Sequence, residues 1–253
     1  MKKYSAVFLA FIILTLSVLP ALADSSRGNT TIQSFNKAKK TLEREVYYDH
    51  RQTIYCGAEF GENKQVILPT SFHAEKHIKR CKKIEWEHVV PAENFGRTFK
   101  EWRDGDSQCV DNKGKSFKGR NCASKVNLEY RYMQSDMYNL YPAIGCVNAA
   151  RSNYNFTMLP SAKSTFGSCE MKIEDNKAEP PVDARGRIAR TYKYMEWAYP
   201  RYKMSSQQQK LMQAWDKMYP VSQWECTRAK RIEAIQKNTN PFVEEPCKTA
   251  GLW

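Results

Sequence analysis

Apolar residues recur three or four apart at Ile32, Phe35, Ala38, Leu42 and Val46, with lysines and glutamates between them. This spacing predicts an amphipathic helix over 32–48 that lays one face on a core. The period then changes. Ile84, Trp86, His88 and Val90 alternate with Glu85, Glu87 and Val89 until Pro91 intervenes, which predicts a short strand. Residues 97–125 are polar, charged and glycine-rich without a period, and are read as a long surface loop pinned by its cysteines. Residues 139–145 look extended, and 147–154 suit a short helix carrying Asn148 and Arg151. The order is strand, loop, strand, helix. After Glu179-Pro180-Pro181 the pattern turns helical: one helix over 184–198 with Ile188, Tyr192 and Met195 inward, a second from Ser206 with Gln209 at capping-box distance, and a third from Ser222 with Glu225 at the same offset. The segment around Pro241, Pro246 and Cys247 reads as a tail stapled to the body.

Ahead of all this, Lys2 and Lys3 precede an apolar run from Ala6 to Leu22 that ends in Ala21-Leu22-Ala23. That is the layout of an export signal cleaved after Ala23, so residues 1–23 are set apart and 24–253 are read as one domain. Cleavage removes two lysines and no acid, taking the formal charge from +13 to +11. So large a cationic excess favours polyanionic partners or simply solubility. No later stretch is apolar enough to span a bilayer. Eight cysteines follow the signal, none in a Cys-x-x-Cys pair, which suggests disulfides rather than a zinc knuckle. The local pair Cys109 and Cys122 is the bridge expected first; the remaining pairings stay open.

A general base near neutral pH has four candidates, His50, His73, His77 and His88. His73 and His77 are four apart and suit one solvated helix face, and His50 among Tyr47, Tyr48 and Asp49 suits packing or surface. His88 stands out, because it follows Glu87 at the strand end before Val89-Val90-Pro91. A regular strand sends neighbours to opposite faces, so joint action of Glu87 and His88 requires a distortion there.

The run Ile84-Glu85-Trp86-Glu87-His88-Val89-Val90-Pro91-Ala92, followed by Gly119-Arg120-Asn121-Cys122, Ser135-Asp136-Met137-Tyr138-Asn139-Leu140, Val147-Asn148 and Arg151-Ser152-Asn153, resembles the bacterial endonuclease I family of exported nucleases. The likeness continues through Ala184-Arg185-Gly186 and Trp224-Glu225-Cys226, over most of the chain after the signal. It implies a helix-rich α+β fold, a ββα-metal nuclease core embedded in one disulfide-stapled domain. It also implies Mg²⁺-dependent cleavage of DNA, and usually RNA, that leaves 5′-phosphate ends. By the same resemblance His88 is the base, Arg120 contacts the phosphate, and Glu87 and Asn148 hold one Mg²⁺, with Mn²⁺ or Ca²⁺ able to substitute structurally. The chemistry fits independently, since magnesium takes oxygen ligands and keeps several waters. The chain departs from the family at Cys146 and Ala150, where acids are usual, at Gln134 for a glutamate, at Tyr138 for a histidine and at Ala58 for a cysteine. These changes lead to the expectation of looser metal binding.

Lysines and arginines crowd the motif, and Lys83, Arg97, Lys118 and Arg151 are expected to contact substrate. Phosphate contacts carry no base code, so binding should tolerate any sequence and weaken with salt. The expected product is a periplasmic or secreted monomer acting on DNA and RNA, with no stable membrane association. Two rival readings are a non-catalytic, disulfide-rich nucleic-acid-binding module and a glycosidase that uses Glu85 and Glu87, about 7 Å apart on one strand face.

Overall fold

The computed structural model describes residues 27–253, so the expected export signal lies outside the described residues. The first helix, α1 (Phe35–Thr41), starts where Ser34 Oγ accepts from Lys37 N at 3.2 Å. It is shorter than its apolar stripe, because Ile32 precedes the cap and Leu42–Val46 winds as a π-turn closed by Tyr47 N donating to Leu42 O at 2.8 Å. The stripe still does its work: Ala38, Leu42 and Val46 are fully buried.

Strand β1 (Ile84–His88) pairs antiparallel with β2 (Leu140–Ile144), with Ile84 opposite Ile144 and His88 opposite Leu140. Pro142 has no N–H to give and sits opposite Trp86. This two-stranded ladder tolerates it, and its carbonyl accepts from Ile54 N at 2.8 Å on the open edge. The sequence pattern carried β1 on to Val90, but the ladder stops at His88. There the Asn139 side chain takes over, accepting from Val90 N at 2.7 Å and donating to Val90 O at 3.0 Å, so the chain bends away before Pro91.

Between the strands lie α2 (Ala92–Gly96), α3 (Lys100–Arg103), α4 (Arg120–Val126) and α5 (Leu128–Gln134). The stretch 97–125 is therefore not one loop: short helices open and close it, and the expected Cys109–Cys122 disulfide staples its polar middle. A buried Asp136 shapes the turn into β2, accepting from Tyr194 and Tyr199 hydroxyls at 2.6 Å each and from Gln236 Nε2 at 2.9 Å.

Helix α6 (Gly145–Arg151) follows β2 without a loop, which completes the strand, strand, helix unit. It packs on a 3-10 turn, Ile78–Lys82, and the relocated Cys146 forms a disulfide with Cys81 in that turn. Gly145 is required by the close approach: a Cβ there would lie 2.5 Å from Arg80 O and 3.0 Å from Lys83 O. A second, small sheet joins β3 (Asn155–Phe156), β4 (Lys172–Glu174) and β5 (Lys177–Glu179) in the order β3-β5-β4, with β3 parallel to β5. Its strands are too short for a sequence period to announce them.

The C-terminal third is helical as expected: α7 (Val182–Ala198), α8 (Ser206–Met218), α9 (Gln223–Gln236) and α10 (Pro241–Thr249). Ser222 Oγ caps α9 through Glu225 N, but α8 is capped by Ser205 through Gln208 N, one residue earlier than the pattern suggested. Disulfide Cys226–Cys247 staples the tail, and Cys56–Cys169 ties the segment after α1 to the turn that precedes β4. Arg228 of α9 is buried against β2, with its guanidinium 3.7 Å from the Tyr141 ring centroid and donating to Leu140 O at 2.9 Å. Among the described residues no helix is long and apolar enough to cross a membrane.

Two stability changes are expected. Converting Cys81 and Cys146 together to serine opens a loop spanning 65 residues and should lower the unfolding free energy by about 2–4 kcal/mol. Guanidinium titration of the oxidised protein measures this, and an unchanged midpoint would show the strap to be dispensable. Gly145→Ala presses a methyl on backbone carbonyls that cannot swing aside and should cost about 1–3 kcal/mol. An unshifted melting temperature would contradict that packing.

Candidate active site

A cleft of about 620 Å³ wraps round the C-terminal end of β1, so that Glu85, Glu87 and His88 all line it together with Asn148 and Arg120. No distortion separates Glu87 from His88, which pair regularly with Tyr141 and Leu140; residues of both parities line the cleft because it wraps round the strand's end.

His88 is 8 % exposed. Its Nε2 lies 2.8 Å from Gln134 O at the end of α5. A carbonyl only accepts, so Nε2 carries the proton and Nδ1 keeps its lone pair. Phe35 of α1 lies against the ring, 4.9 Å between centroids. Burial first, and the Arg120 guanidinium next, push the imidazolium's pKa down to about 3, so the ring stays neutral.

Glu87 is buried in an ion pair. Its Oε1 accepts from Arg151 Nη1 at 2.5 Å and from the Tyr55 hydroxyl at 2.6 Å. Burial raises the carboxyl's pKa and Arg151 opposes that rise. Among the described residues, Oε2 makes no hydrogen bond. Asn148, half-buried on α6, donates from Nδ2 to Glu85 Oε2 at 3.0 Å, which assigns the amide: nitrogen toward Glu85, with Oδ1 left over for the cleft. Glu85 is in turn gripped by Arg80, whose Nε donates at 2.7 Å and whose Nη2 donates to the second oxygen. The chain Arg80 to Glu85 to Asn148 is the kind of outer support that orients a ligand, and the Cys81–Cys146 strap joins its two ends.

Among the described residues, no group of three or more His, Cys, Asp and Glu side chains stands together as a metal cage. His73 and His77 share no helix; His77 sits at φ +57° ahead of the 3-10 turn. Three carboxylates line the cleft, but Glu85 is taken by Arg80 and Asn148, and Glu93 by Arg97 and Asn153, so among the described residues the oxygens left without a partner beside His88 are Glu87 Oε2 and Asn148 Oδ1. That set fits a hard, oxygen-seeking divalent ion that keeps open positions for water and phosphate, and does not fit a thiolate- or imidazole-bound metal.

The remaining candidates separate. Arg120 opens α4, exposed, two residues before stapled Cys122. Lys83 is exposed but does not line the cleft, Arg97 is exposed on α2's end and paired with Glu93 at the rim, and Lys118 lines a different hollow with Lys100 and Asp104. Arg151 is a correction. It is 0 % exposed, and besides Glu87 it donates to His88 O at 2.9 Å and Val89 O at 2.6 Å, so it holds the site from behind and cannot reach a substrate. The departures from the family pattern also fall outside the cleft lining: Cys146 is bonded to Cys81, Tyr138 packs on Tyr194 in the core, and Gln134 serves His88 through its backbone carbonyl. His50 stacks on Trp224, 4.0 Å between centroids.

Tyr55, Lys39 and Lys64 were missed by the sequence reading. Tyr55 sits 32 residues from the carboxylate it serves and carries no local pattern. Lys39 and Lys64 lie on the cleft wall, and Lys39 was hidden among the ordinary lysines of α1.

Residues 24–247 match the profile of the Endonuclease I family. The chain is 39 % identical over 223 residues to an extracellular deoxyribonuclease of Aeromonas hydrophila, covering 85 % of this chain and 91 % of the relative. It is 37 % identical over 223 residues to a periplasmic deoxyribonuclease of the same organism, covering 85 % and 87 %. It is also 35 % identical over 224 residues to an Endonuclease-1 of Buchnera aphidicola subsp. Acyrthosiphon pisum (strain APS), covering 86 % and 83 %. With matches of this length over a strand, strand, helix unit that gathers the same motif residues into one cleft, the chain belongs to the endonuclease I family.

Proposed function

We propose that the chain is an exported monomeric endonuclease that hydrolyses DNA and RNA with one bound Mg²⁺ and leaves 5′-phosphate ends. The observation that carries this reading is the orientation of three groups in one cleft: an imidazole with its Nδ1 lone pair free, a carboxylate with one oxygen unbonded, and an amide turned by Glu85 so that its oxygen is available. Export is supported by the relatives, whose names place them outside the cell or in the periplasm.

His88 Nδ1 takes a proton from a water whose oxygen bonds to phosphorus, and the bond from phosphorus to the 3′ oxygen breaks. The phosphate stays on the 5′ side. Glu87 and Asn148 would hold the Mg²⁺, which when bound would supply charge neutralisation to the reaction. Arg120, a fixed cation on the cleft wall, faces the charge that spreads over the non-bridging oxygens. Arg151 occupies the carboxylate's rear oxygen and favours the ionised form of Glu87 against the effect of burial. Nothing in this set reads a base edge or tests for a 2′ hydroxyl, so both nucleic acids and all sequences are accepted.

Plasmid and RNA degradation by the oxidised protein, with Mg²⁺ or with EDTA, tests the reading directly. Both substrates should be cut with Mg²⁺ and spared by EDTA, and His88→Ala should lose about 100- to 10,000-fold in rate. Binding without cleavage under every metal tried would make the chain a nucleic-acid-binding module instead. A pH profile supplies a second test. A base whose pKa is depressed to about 3 is still unprotonated below the usual histidine value. At saturating Mg²⁺, kcat/KM should hold level as pH falls through about 6.5. A tenfold fall per unit starting there would show that His88 titrates as an ordinary histidine.

A further inference from the structure

Four cations line the cleft: Lys39, Lys64, Arg80 and Arg120. Two are already neutralised, Arg80 by Glu85 and Lys64 by Glu43 at 2.8 Å. Among the described residues Arg120 and Lys39 have no carboxylate partner, and Arg120 already has a place in the chemistry above. Lys39 is half-buried on α1, and its ammonium lies 4.6 Å from the centroid of the Phe35 ring, the same ring that packs on His88. The cation is thereby held on the base's side of the cleft by an aromatic face rather than by an acid.

We propose that Lys39 is a second phosphate-binding residue, taking the phosphodiester that flanks the scissile one while Arg120 takes the scissile phosphate. The proposal rests on the nuclease reading and extends it by one subsite. Burial first, and Lys64 second, hold the Lys39 ammonium below the usual lysine range. An anion in the cleft gives this half-buried, unpaired ammonium the partner it lacks, and a phosphodiester is the anion a polynucleotide brings. The aromatic support also explains why a lysine serves here. Its compact ammonium sits over Phe35 and accepts no particular phosphate orientation, whereas the fork of Arg120 does. Together the two cations would let a backbone lie across the imidazole with one phosphate on each, without contact to any base.

The salt dependence of binding counts such contacts. On a His88→Ala background with Mg²⁺ present, affinity for a short duplex of fixed length is measured by fluorescence anisotropy from about 50 to about 200 mM KCl. Lys39→Gln should reduce the slope of log affinity against log salt by about 0.9, the value for one lost phosphate contact on duplex DNA. Lys39→Arg should restore it, and Lys210→Gln, on α8 away from the cleft lining, should leave it unchanged. In the otherwise unaltered protein, Lys39→Gln should raise KM several-fold more than it lowers kcat. An unchanged slope in a folded Lys39→Gln protein, with the parent still cutting DNA, overturns the assignment of Lys39 and leaves the nuclease reading standing. A parent that neither binds nor cuts nucleic acid overturns both.

Discussion

The site depends on one buried ion pair, Arg151 to Glu87. Arg151 comes from the last turn of α6 and Glu87 from β1, so the pair holds helix to strand across the ββα unit. The same guanidinium donates to the carbonyls of His88 and Val89, where the ladder ends and the chain bends. One side chain therefore fixes the Glu87 carboxylate, the backbone of His88 and the helix that carries Asn148. Breaking such a pair by removing one partner typically costs about 3–5 kcal/mol, because the other charge is left buried. Phe156 lies under the guanidinium, 4.4 Å from its carbon to the ring centroid, which closes the back of the site against water.

Around that clamp the cleft sorts charges by whether they are compensated. Carboxylates face it in pairs with cations: Glu87 with Arg151, Glu85 with Arg80, Glu93 with Arg97. Cations are in excess, and the uncompensated ones lie around an imidazole that burial already keeps neutral. A polyanion relieves this field and a neutral ligand does not. Two supports meet at Asn148: a polar one through Glu85, and a covalent one through Cys146, which in this chain bonds to Cys81 beside Arg80. Positions 146 and 150, where the family usually has acids, do not line the cleft, and Cys146 anchors the helix from which Asn148 projects.

The residues that were legible in the sequence are those whose chemistry is local. The alternation at 84–88 marked β1, Ser222 with Glu225 marked the start of α9, and the Glu-His pair before Pro91 marked the cleft. The chain did not disclose what each long cationic side chain does. Arg151 sits in a motif beside Asn148 and was expected at the substrate, yet it is fully buried. Lys39 sits in an unremarkable amphipathic helix, yet it lines the cleft. Helical periodicity says which side of α1 faces the core but not that the core's edge at that point borders the cleft. Likewise the Asn139 clamp on Val90, which ends β1 two residues early, joins positions 49 apart and has no sequence period.

The central claim is that Glu87 and Asn148, set by Arg151 and Glu85, hold one ion beside His88. Crystals grown with Mn²⁺ and an oligonucleotide, bound to the His88→Ala protein, would locate that ion by anomalous scattering. The account predicts a single peak bonded to Glu87 Oε2 and Asn148 Oδ1, with a phosphate oxygen completing the shell. A peak elsewhere, two peaks in the cleft, or an Asn148 amide turned with its nitrogen toward the ion would contradict it.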